Sequence, residues 1–232
     1  GNGRYCEADP FQGAAIAVAE ATRNLICVGA EPVALSDCLN FGDPEKPGVA
    51  FQLEQCIQGM RAACLALDVP VISGNVSLYN ETRGEAVYPT PVIGSVGLVD
   101  DINLALKPGF KQAGDLVLLL GSGTMDRDPQ DLAASLALEE LHSASGRMIS
   151  IDLDLETRLQ KTCLALIREG LVESAHDCSD GGLGVALAES CMPLSVGFSL
   201  ETPLPERWDA ALFSETQSRV IISVRSEKLK DV

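Results

Sequence analysis

The sequence predicts an α+β protein of two units, each a mixed sheet packed with helices. Three observations support this prediction. Patterns typical of amphipathic helices alternate with short apolar runs typical of strands. The chain has 232 residues, enough for two small domains, and 46% of them are hydrophobic. A chain of this composition can bury a core, so a largely disordered protein is excluded.

The first unit contains helices and strands in alternation. Its first helix carries a wide apolar face and is followed by Gly29, a residue typical of a helix C-terminus. Its second helix repeats apolar residues at intervals of three and four. The predicted elements are a helix at 13–28, a strand at 33–39, a helix at 49–67, a strand at 71–73, a polar loop at 80–85 and a strand at 91–99.

Glycine and proline interrupt the pattern at 103–114, which predicts a boundary between units at 1–108 and 109–232. The second unit is predicted to contain a strand at 115–120, helices at 131–141, 155–169 and 185–190, a short segment at 198–200, a helical turn around Trp208 and a strand at 219–224. The chain starts without methionine and ends just after an apolar run. We therefore expect a piece of a longer polypeptide, with the second unit incomplete.

The charge argues against nucleic acid as the main partner. The chain has 17 Lys and Arg against 33 Asp and Glu, a net charge of −16, and no basic stretch offsets this repulsion of phosphodiesters. The longest apolar run is Leu116–Leu120, much shorter than the roughly 20 residues of a membrane span. We therefore expect no membrane segment.

The eight cysteines are expected to be buried, reduced thiols. None forms a Cys-x-x-Cys pair, and several lie within apolar helical patterns. A zinc site is not expected, because the chain has two histidines and no cluster with ligand spacing. Neither His142 nor His176 can be joined to a nucleophile in a recognisable catalytic arrangement, so no catalytic residue is assigned.

Two polar segments follow predicted strands. Asp37 and Asn40 lie at the end of one strand, and Gly74, Asn75 and Ser77 follow the next. Loops at strand ends often bind ligands, glycine lets a ligand approach the backbone, and an amide oxygen can bind a hard cation. The alternative is that these are ordinary turn residues.

A third segment, residues 177–184, is rich in glycine and precedes a predicted helix. Backbone amides in such a turn can bind an anion. However, Ser179 and Asp180 are also good N-cap residues, and the glycines can serve packing alone. The segment lacks the ending of a phosphate-binding P-loop and does not match a dinucleotide fingerprint.

Several motifs occur in order at characteristic separations: Gly1-Asn2-x-Arg4-Tyr5-Cys6, Asp9-Pro10-Phe11-x-Gly13-Ala14, Gly29-Ala30-Glu31-Pro32-Val33, Asp37-Cys38-Leu39-Asn40-Phe41-Gly42, Gly74-Asn75-Val76-Ser77-Leu78-Tyr79-Asn80-Glu81 and Tyr88-Pro89-Thr90-Pro91-Val92. Together they resemble the second half of the phosphoribosylformylglycinamidine synthase family in its smaller bacterial form. Asp177-x-Ser179-Asp180-Gly181-Gly182-Leu183 resembles the carboxy-terminal domain shared with aminoimidazole ribonucleotide synthetase (PurM).

The resemblance implies a PurM-like fold and a set of site residues. Asp37 and Gly74 would contact ATP, Asn75 would bind Mg²⁺ and Ser77 would contact the ribonucleotide substrate. In this family two homologous halves build the active site at their interface, and the catalytic histidine belongs to the first half. Arg4-Tyr5-Cys6 takes the corresponding place here, without a histidine. The resemblance therefore implies no catalytic residue in this chain.

The implied reaction is the ATP-dependent conversion of formylglycinamide ribonucleotide, with glutamine-derived ammonia, to the amidine in purine biosynthesis. The implied partners are the first half of the same polypeptide, a glutaminase subunit and a small accessory subunit, in the cytoplasm, and the uncovered interface favours a homodimer of the fragment. The alternatives are another ATP-binding enzyme of the aminoimidazole ribonucleotide synthetase superfamily and a half that binds nucleotide only structurally or serves as a scaffold. The nucleotide hypothesis requires the turns at Asp37 and Asn75 to converge.

Overall fold

The structure is a computed structural model that describes residues 2–122, 132, 134–143, 146, 150–201 and 203–232. It contains two three-stranded sheets, each packed against helices, and a short hairpin. The elements are α1 (Gly3–Ala8), α2 (Pro10–Cys27), β1 (Glu31–Asn40), α3 (Pro47–Leu67), β2 (Val71–Ser77), β3 (Glu81–Thr82), β4 (Glu85–Ala86), β5 (Thr90–Leu98), β6 (Leu116–Gly121), α4 (Leu136–His142), α5 (Leu153–Arg168), β7 (Ser174–Asp177), α6 (Gly182–Cys191), α7 (Trp208–Phe213) and β8 (Arg219–Val224), with 3₁₀ turns at Ile102–Leu104 and Ser226–Lys228.

The first sheet has the strand order β2-β1-β5. β1 and β2 are parallel and are joined through α3, whereas β5 pairs with β1 in the antiparallel direction. Helices α2 and α3 cover one face of this sheet. The core between them and the sheet includes Val18, Leu35, Leu39, Phe41, Cys56, Met60 and Ala63. β2 therefore forms one edge of the described sheet.

The second sheet has the order β6-β8-β7 and is antiparallel throughout. Its central strand β8 is completely buried, because helices and neighbouring strands surround it. The core around it includes Leu159, Cys163, Leu164, Ile167, Val220, Ile222 and Val224. A smaller cluster under α6 contains Cys178, Leu183, Leu187 and Ile221.

Helix α2 belongs to both cores. Val18 packs in the first core, while Ile26 and Cys27, one end of the same helix, pack among residues of α5 and β8. The helix begins where Asp9 accepts a hydrogen bond from the Gln12 N–H at 3.0 Å and Pro10 takes the first helical position.

Most of the predicted elements are confirmed, with shifted ends. α2 begins three residues before the prediction, because the Asp9 cap and Pro10 extend it. The helix predicted at 131–141 is observed as Leu136–His142, starting at a Ser135 cap, and residues 131 and 133 lie outside the described residues. Helix α1 and the β3–β4 hairpin were not predicted, and segment 198–200 is neither helix nor strand.

All eight cysteines are free thiols, and most of them are buried. Five are buried, as predicted, and Cys38, Cys64 and Cys191 are half-buried. Burial raises the pKa of the Cys163 thiol to about 12 and that of Cys178 to about 11, so both are protonated near neutral pH. No helix in the described part of the chain is long and apolar enough to cross a bilayer.

Candidate functional site

Asp37 and Gly74 face each other across the parallel pair β1–β2. A Cβ atom added to Gly74 would lie 2.1 Å from the Asp37 Oδ1 atom and 2.9 Å from the Asp37 carbonyl oxygen. The position therefore requires glycine, since any side chain would collide with the carboxylate and with the backbone behind it. The structure brings together the two residues to which the family resemblance assigns ATP contacts.

The Asp37 carboxylate lies at an open groove between α3 and the sheet. The groove has a volume of about 320 Å³, and apart from Asp37 and Arg61 its lining is apolar: Leu39, Ile57, Met60, Cys64, Leu65 and Val71. The Asp37 carboxylate makes no hydrogen bond or ion pair with the residues that the structure describes. Partial burial raises the pKa of this carboxyl, and the Asp37 charge in turn adds to the effect of burial in raising the pKa of the Cys64 thiol.

Asn75 and Ser77 lie on the opposite face of the same strands. Cys38 is the partner of Asn75 and Asn40 is the partner of Ser77. Because successive side chains of a strand alternate between faces, these residues point away from Asp37 and the helices. The Ser73 hydroxyl, on the same face as Asn75, donates to the Ser36 Oγ at 2.9 Å.

This geometry corrects two expectations. The segments after Leu39 and Ser73 are not turns, because β1 continues to Asn40 and β2 to Ser77 through the parallel ladder. The side chains of Asp37 and Asn75 consequently do not converge on one face, since the sheet lies between them, and the expected convergence is wrong for these two side chains. Asn75 lies on β2, the edge strand of the described sheet, and Asp37 lies on β1 beside it, so a single ligand would reach both side chains only around that edge.

The Ser77 hydroxyl is oriented by its neighbours. It donates to the Asn80 Oδ1 at 3.2 Å, and the Asn80 amide in turn donates to the carbonyl oxygens of Phe41 and Ser77. The Ser77 oxygen keeps a lone pair with which it can accept a hydrogen bond. This arrangement holds a hydroxyl acceptor at the end of β2.

The residues around Asn75 fit a cation only as part of a larger ligand set. Within the described residues, no group of three or more His, Cys, Asp or Glu side chains could hold a metal ion. Mg²⁺ in nucleotide sites keeps waters and phosphate oxygens and takes few protein ligands. One neutral amide oxygen from Asn75 is compatible with that pattern, provided that phosphates and other protein groups supply the remaining ligands.

The glycine-rich turn at 177–184 already holds an anion from the chain itself. Gly181, with φ of 79°, is the N-cap of α6, and its N–H donates to the Glu215 Oε1 at 2.8 Å. The same oxygen accepts from the Leu136 N–H at 2.8 Å, and the other accepts from the Tyr5 hydroxyl. Of the two interpretations of this turn, the structure favours the structural one.

Arg4 lies near the Glu215 carboxylate and lines a cavity. It forms an ion pair with Glu139 at 2.7 Å and lies 3.7 Å from Asp180. The cavity, of about 540 Å³, lies between α1 and α4 and is also lined by Tyr88 and Ser135. The motif Arg4-Tyr5-Cys6 thus connects the two units of the fold, with Cys6 packed in the first core.

Sequence reasoning missed a second buried polar cluster. Arg23 of α2 and Glu156 of α5 are both 0% exposed and lie 3.4 Å apart, Nε to Oε1. Arg23 also donates to Gln217 at 3.0 Å, and Gln160 donates to Glu156 at 2.8 Å. Only the amphipathic pattern of α5 was visible in the sequence, and it gave no signal that Glu156 faces inward.

His176 lies in β7, and its imidazole is close to two acidic residues. Its Nδ1 is 2.7 Å from the carbonyl oxygen of Asp177, and its Nε2 is 3.1 Å from the Glu189 carboxylate. Burial lowers the pKa of the imidazole, but the hydrogen bonds and charge of Asp177 and the charge of Glu189 raise it by more, so the net shift is upward. These contacts support a structural role.

Both parts of the chain match models of one protein family. Residues 1–99 match the amino-terminal domain of the AIR synthase related proteins, and residues 112–232 match their carboxy-terminal domain. The chain belongs to the AIR synthase related protein family. The similarity covers both sheets and includes the strand pair that carries Asp37 and Gly74.

Curated relatives of this AIR synthase related protein are named phosphoribosylformylglycinamidine synthase subunit PurL. The protein of Anaeromyxobacter sp. (strain Fw109-5) is 47% identical over 237 residues, and that of Synechococcus sp. (strain JA-2-3B'a(2-13)) is 50% identical over 230. Each comparison covers 97% of this chain and only 30% or 29% of the relative. The chain therefore spans about three-tenths of the length of these relatives.

Solved structures show the same fold for this AIR synthase related protein. T. maritima PurL complexed with FGAR superimposes with a TM-score of 0.74 at 24% identity, over 98% of this chain and 37% of that one. T. maritima PurL complexed with ATP gives 0.71 at 20% identity, over 98% and 35%. E. coli HypE, a hydrogenase maturation protein, gives 0.65 at 16% identity, over 94% and 67%.

Proposed function

We propose that this chain is a segment of a phosphoribosylformylglycinamidine synthase. That enzyme would be an ATP-dependent carbon–nitrogen ligase that converts formylglycinamide ribonucleotide and glutamine-derived ammonia to formylglycinamidine ribonucleotide. The names of relatives at 47% and 50% identity support the proposal. The structural observation that carries it is the contact of Asp37 with Gly74 at the edge of the sheet, because these are the residues to which the family resemblance assigns ATP.

Four residues have roles in this proposal. Asp37 and Gly74 contact ATP from β1 and β2, and Asn75 offers an amide oxygen to Mg²⁺. Ser77 accepts a hydrogen bond from the ribonucleotide through the hydroxyl oriented by Asn80. Mg²⁺, when bound, neutralises charge on the phosphates. The protein side chains then have to orient the nucleotide and the substrate amide, which is the main requirement of phosphoryl transfer.

In the overall reaction, the substrate amide oxygen attacks the γ-phosphate and releases ADP. Ammonia then adds to the activated carbon, and phosphate leaves as the amidine forms. No side chain of this segment is assigned to the proton transfers, because Arg4-Tyr5-Cys6 replaces the histidine-containing stretch of the first half. We infer that the segment forms one wall of the site and that the isolated chain makes no product.

The proposal includes the organisation of the protein. The boundary between units lies between residues 108 and 109, and the first half of the polypeptide, a glutaminase subunit and a small accessory subunit complete a cytoplasmic enzyme. A structural neighbour named PurLQS, from Thermotoga maritima, agrees with such an assembly. Ile72, Val92 and Val96 are exposed on the first sheet, which favours pairing with the other half or, for the isolated segment, with a second copy.

A chimera tests the proposal. This chain would replace the matching three-tenths of the Anaeromyxobacter relative, and amidine formation would be measured with formylglycinamide ribonucleotide, ATP and ammonia. We expect turnover by the chimera and none by the isolated chain. A folded chimera that turns over only another ribonucleotide would favour a different ligase of the superfamily. One that binds ATP but forms no product would favour a structural nucleotide or scaffold role.

A further inference from the structure

Asn40 is a polar residue of the first sheet that has no role in the proposed function. It is the partner of Ser77 in the parallel ladder and lies on the same face of the sheet as Ser77 and Asn75. We propose, on the basis of the proposed function, that Asn40 is a second contact of the ribonucleotide substrate and that Asn40 and Ser77 together form a pair of hydrogen-bond acceptors. Such a pair selects a part of the ligand that carries neighbouring O–H or N–H donors.

The hydrogen bonds of Asn40 fix the direction of its side-chain amide. The Nδ2 atom donates to the carbonyl oxygens of Cys38 and Thr90, at 3.0 and 3.1 Å. Carbonyl oxygens can only accept, so the amide nitrogen has to face them, and both of its hydrogens are used. Among the described residues, the Oδ1 atom accepts only from the Cys38 thiol, a weak donor, at 3.8 Å. Asn40 therefore offers a ligand an acceptor and no donor.

The Ser77 hydroxyl is limited to the same role. Its hydrogen is donated to the Asn80 Oδ1 at 3.2 Å. The Asn80 Nδ2 lies 2.8 Å from the Ser77 carbonyl oxygen, 3.0 Å from the Phe41 carbonyl oxygen and 3.1 Å from the Ser77 Oγ. Because an amide nitrogen has two hydrogens, the two shorter contacts take both, and Oδ1 stays directed at the hydroxyl hydrogen. The Ser77 oxygen is left with a lone pair for a ligand.

The two acceptors are neighbours on one face of the sheet. Asn40 and Ser77 are paired residues of adjacent strands, which lie about 4.8 Å apart, and both are half-buried. A phosphate oxygen placed there would leave both acceptors without a hydrogen bond, which costs free energy at a half-buried site. Formylglycinamide ribonucleotide has two sources of matching donors, the vicinal hydroxyls of its ribose and its amide N–H groups. The pair therefore faces one of these parts of the substrate and not its phosphate.

Double-mutant cycles between protein and ligand test the proposal. Calorimetry measures the binding to the chimera of formylglycinamide ribonucleotide, of analogues that each lack one ribose hydroxyl, and of an analogue methylated at its amide nitrogens. Loss of the donor that faces Asn40 should weaken binding to the parent chimera about three- to tenfold. Asn40→Ala should bind that analogue as tightly as it binds the ribonucleotide. The analogue that shows this coupling tells whether the donor is a ribose hydroxyl or an amide N–H.

Two further variants separate ligand binding from folding. Asn40→Asp keeps an acceptor oxygen beside Ser77 and should still distinguish the ribonucleotide from the analogue, and it replaces Asn40→Ala in the cycle if that variant does not fold. Asn103→Ala is the matched control, because it truncates an exposed asparagine whose Nδ2 donates to the Asp101 Oδ1 at 2.8 Å. It should leave the binding of every ligand unchanged.

The outcomes distinguish the acceptor pair from the proposed function. If Asn40→Ala weakens the ribonucleotide and all analogues by one common factor, or changes none of them, Asn40 is structural and the acceptor pair is wrong, while the proposed function stands. If the folded chimera does not bind formylglycinamide ribonucleotide although the Anaeromyxobacter relative does, the proposed function fails, and the acceptor pair fails with it.

Discussion

Tyr5 donates its phenolic hydrogen to Glu215, 210 residues further along the chain. Both side chains are buried, at 3% and 2% exposure, and the carboxylate also accepts two backbone N–H groups from the starts of α4 and α6. One side chain therefore ties α1 to two helices of the second unit. Burial is the main reason that the pKa of the Glu215 carboxyl lies above its ordinary range.

We expect Tyr5→Phe to lower the free energy of unfolding by about 1–3 kcal/mol, because it leaves a buried carboxylate oxygen without a partner. Denaturant unfolding measures the change. Tyr79→Phe is the control, since Tyr79 is 61% exposed. An equal effect of the two substitutions would contradict the importance of the Tyr5–Glu215 bond.

Arg23→Met should destabilise the protein by about 3–5 kcal/mol, because it leaves the Glu156 carboxylate buried without its cation. Arg168→Met provides the comparison: Arg168 pairs with Glu31 and Asp100 at the surface, where such pairs contribute about 0–1 kcal/mol. Chemical denaturation of both variants gives the difference. The double variant Arg23→Met with Glu156→Leu should recover part of the loss, and no recovery would show that packing dominates.

Stability should depend on pH through His176. The folded protein raises the pKa of this imidazole above its unfolded value of about 6.5, so protonation favours folding. The contribution is fully present below the unfolded pKa and is lost as pH rises through the folded pKa. Unfolding curves from pH 5 to 9 should show this decline in the parent and in His142→Gln but not in His176→Gln. If the free energy of unfolding of the parent were higher at pH 9 than at pH 5, the prediction for His176 would be wrong.

Gly74→Ala should cost about 1–3 kcal/mol, because the new methyl group collides with the side chain and the backbone oxygen of Asp37. Gly94→Ala is matched to it: Gly94 lies in β5 of the same sheet, and an added Cβ there meets only the Ser36 carbonyl oxygen, at 3.6 Å. Thermal unfolding of both variants is the measurement. Equal losses would mean that the position tolerates a side chain.

Asn75→Ala should lower turnover of the chimera by about 10–100-fold, as expected for the loss of a group that supports a metal. Ser77→Ala should also reduce it, by removing the acceptor for the ribonucleotide. Steady-state kinetics at several Mg²⁺ concentrations would show whether the Asn75 effect is relieved by added metal. Ser73→Ala changes another hydroxyl on the same face and should leave the rates unchanged. Parent-like kinetics for both site variants would reject the two assignments.

The sequence predicted the elements whose patterns are long. Helix α3 was predicted at 49–67 and is observed at Pro47–Leu67, because its apolar spacing persists over five turns. β2 was predicted to end at Ser73, since glycine and asparagine are unfavourable in strands. Pairing with β1 overrides that local preference and carries the strand to Ser77, and this moves Asn75 to the face opposite Asp37.

The contacts between distant segments could not be predicted. Glu215 lies in a polar stretch without periodicity, and nothing local indicates that Tyr5 and two helix starts will enclose its carboxylate. The residues Asp37, Gly74, Asn75 and Ser77 were found through family motifs. Their distribution over two faces depends on the register of β1 with β2, which only the three-dimensional structure provides.

Helix α2 has one side in the core of the first sheet and its last turn in the core of the second. If either sheet unfolded, α2 would lose its packing against that sheet, and the core of the other sheet would be exposed in part. Arg23 on the same helix would then be separated from the Glu156 carboxylate. The two units, residues 1–108 and 109–232, are therefore expected to unfold together in a single cooperative transition, although they are separate segments of the sequence.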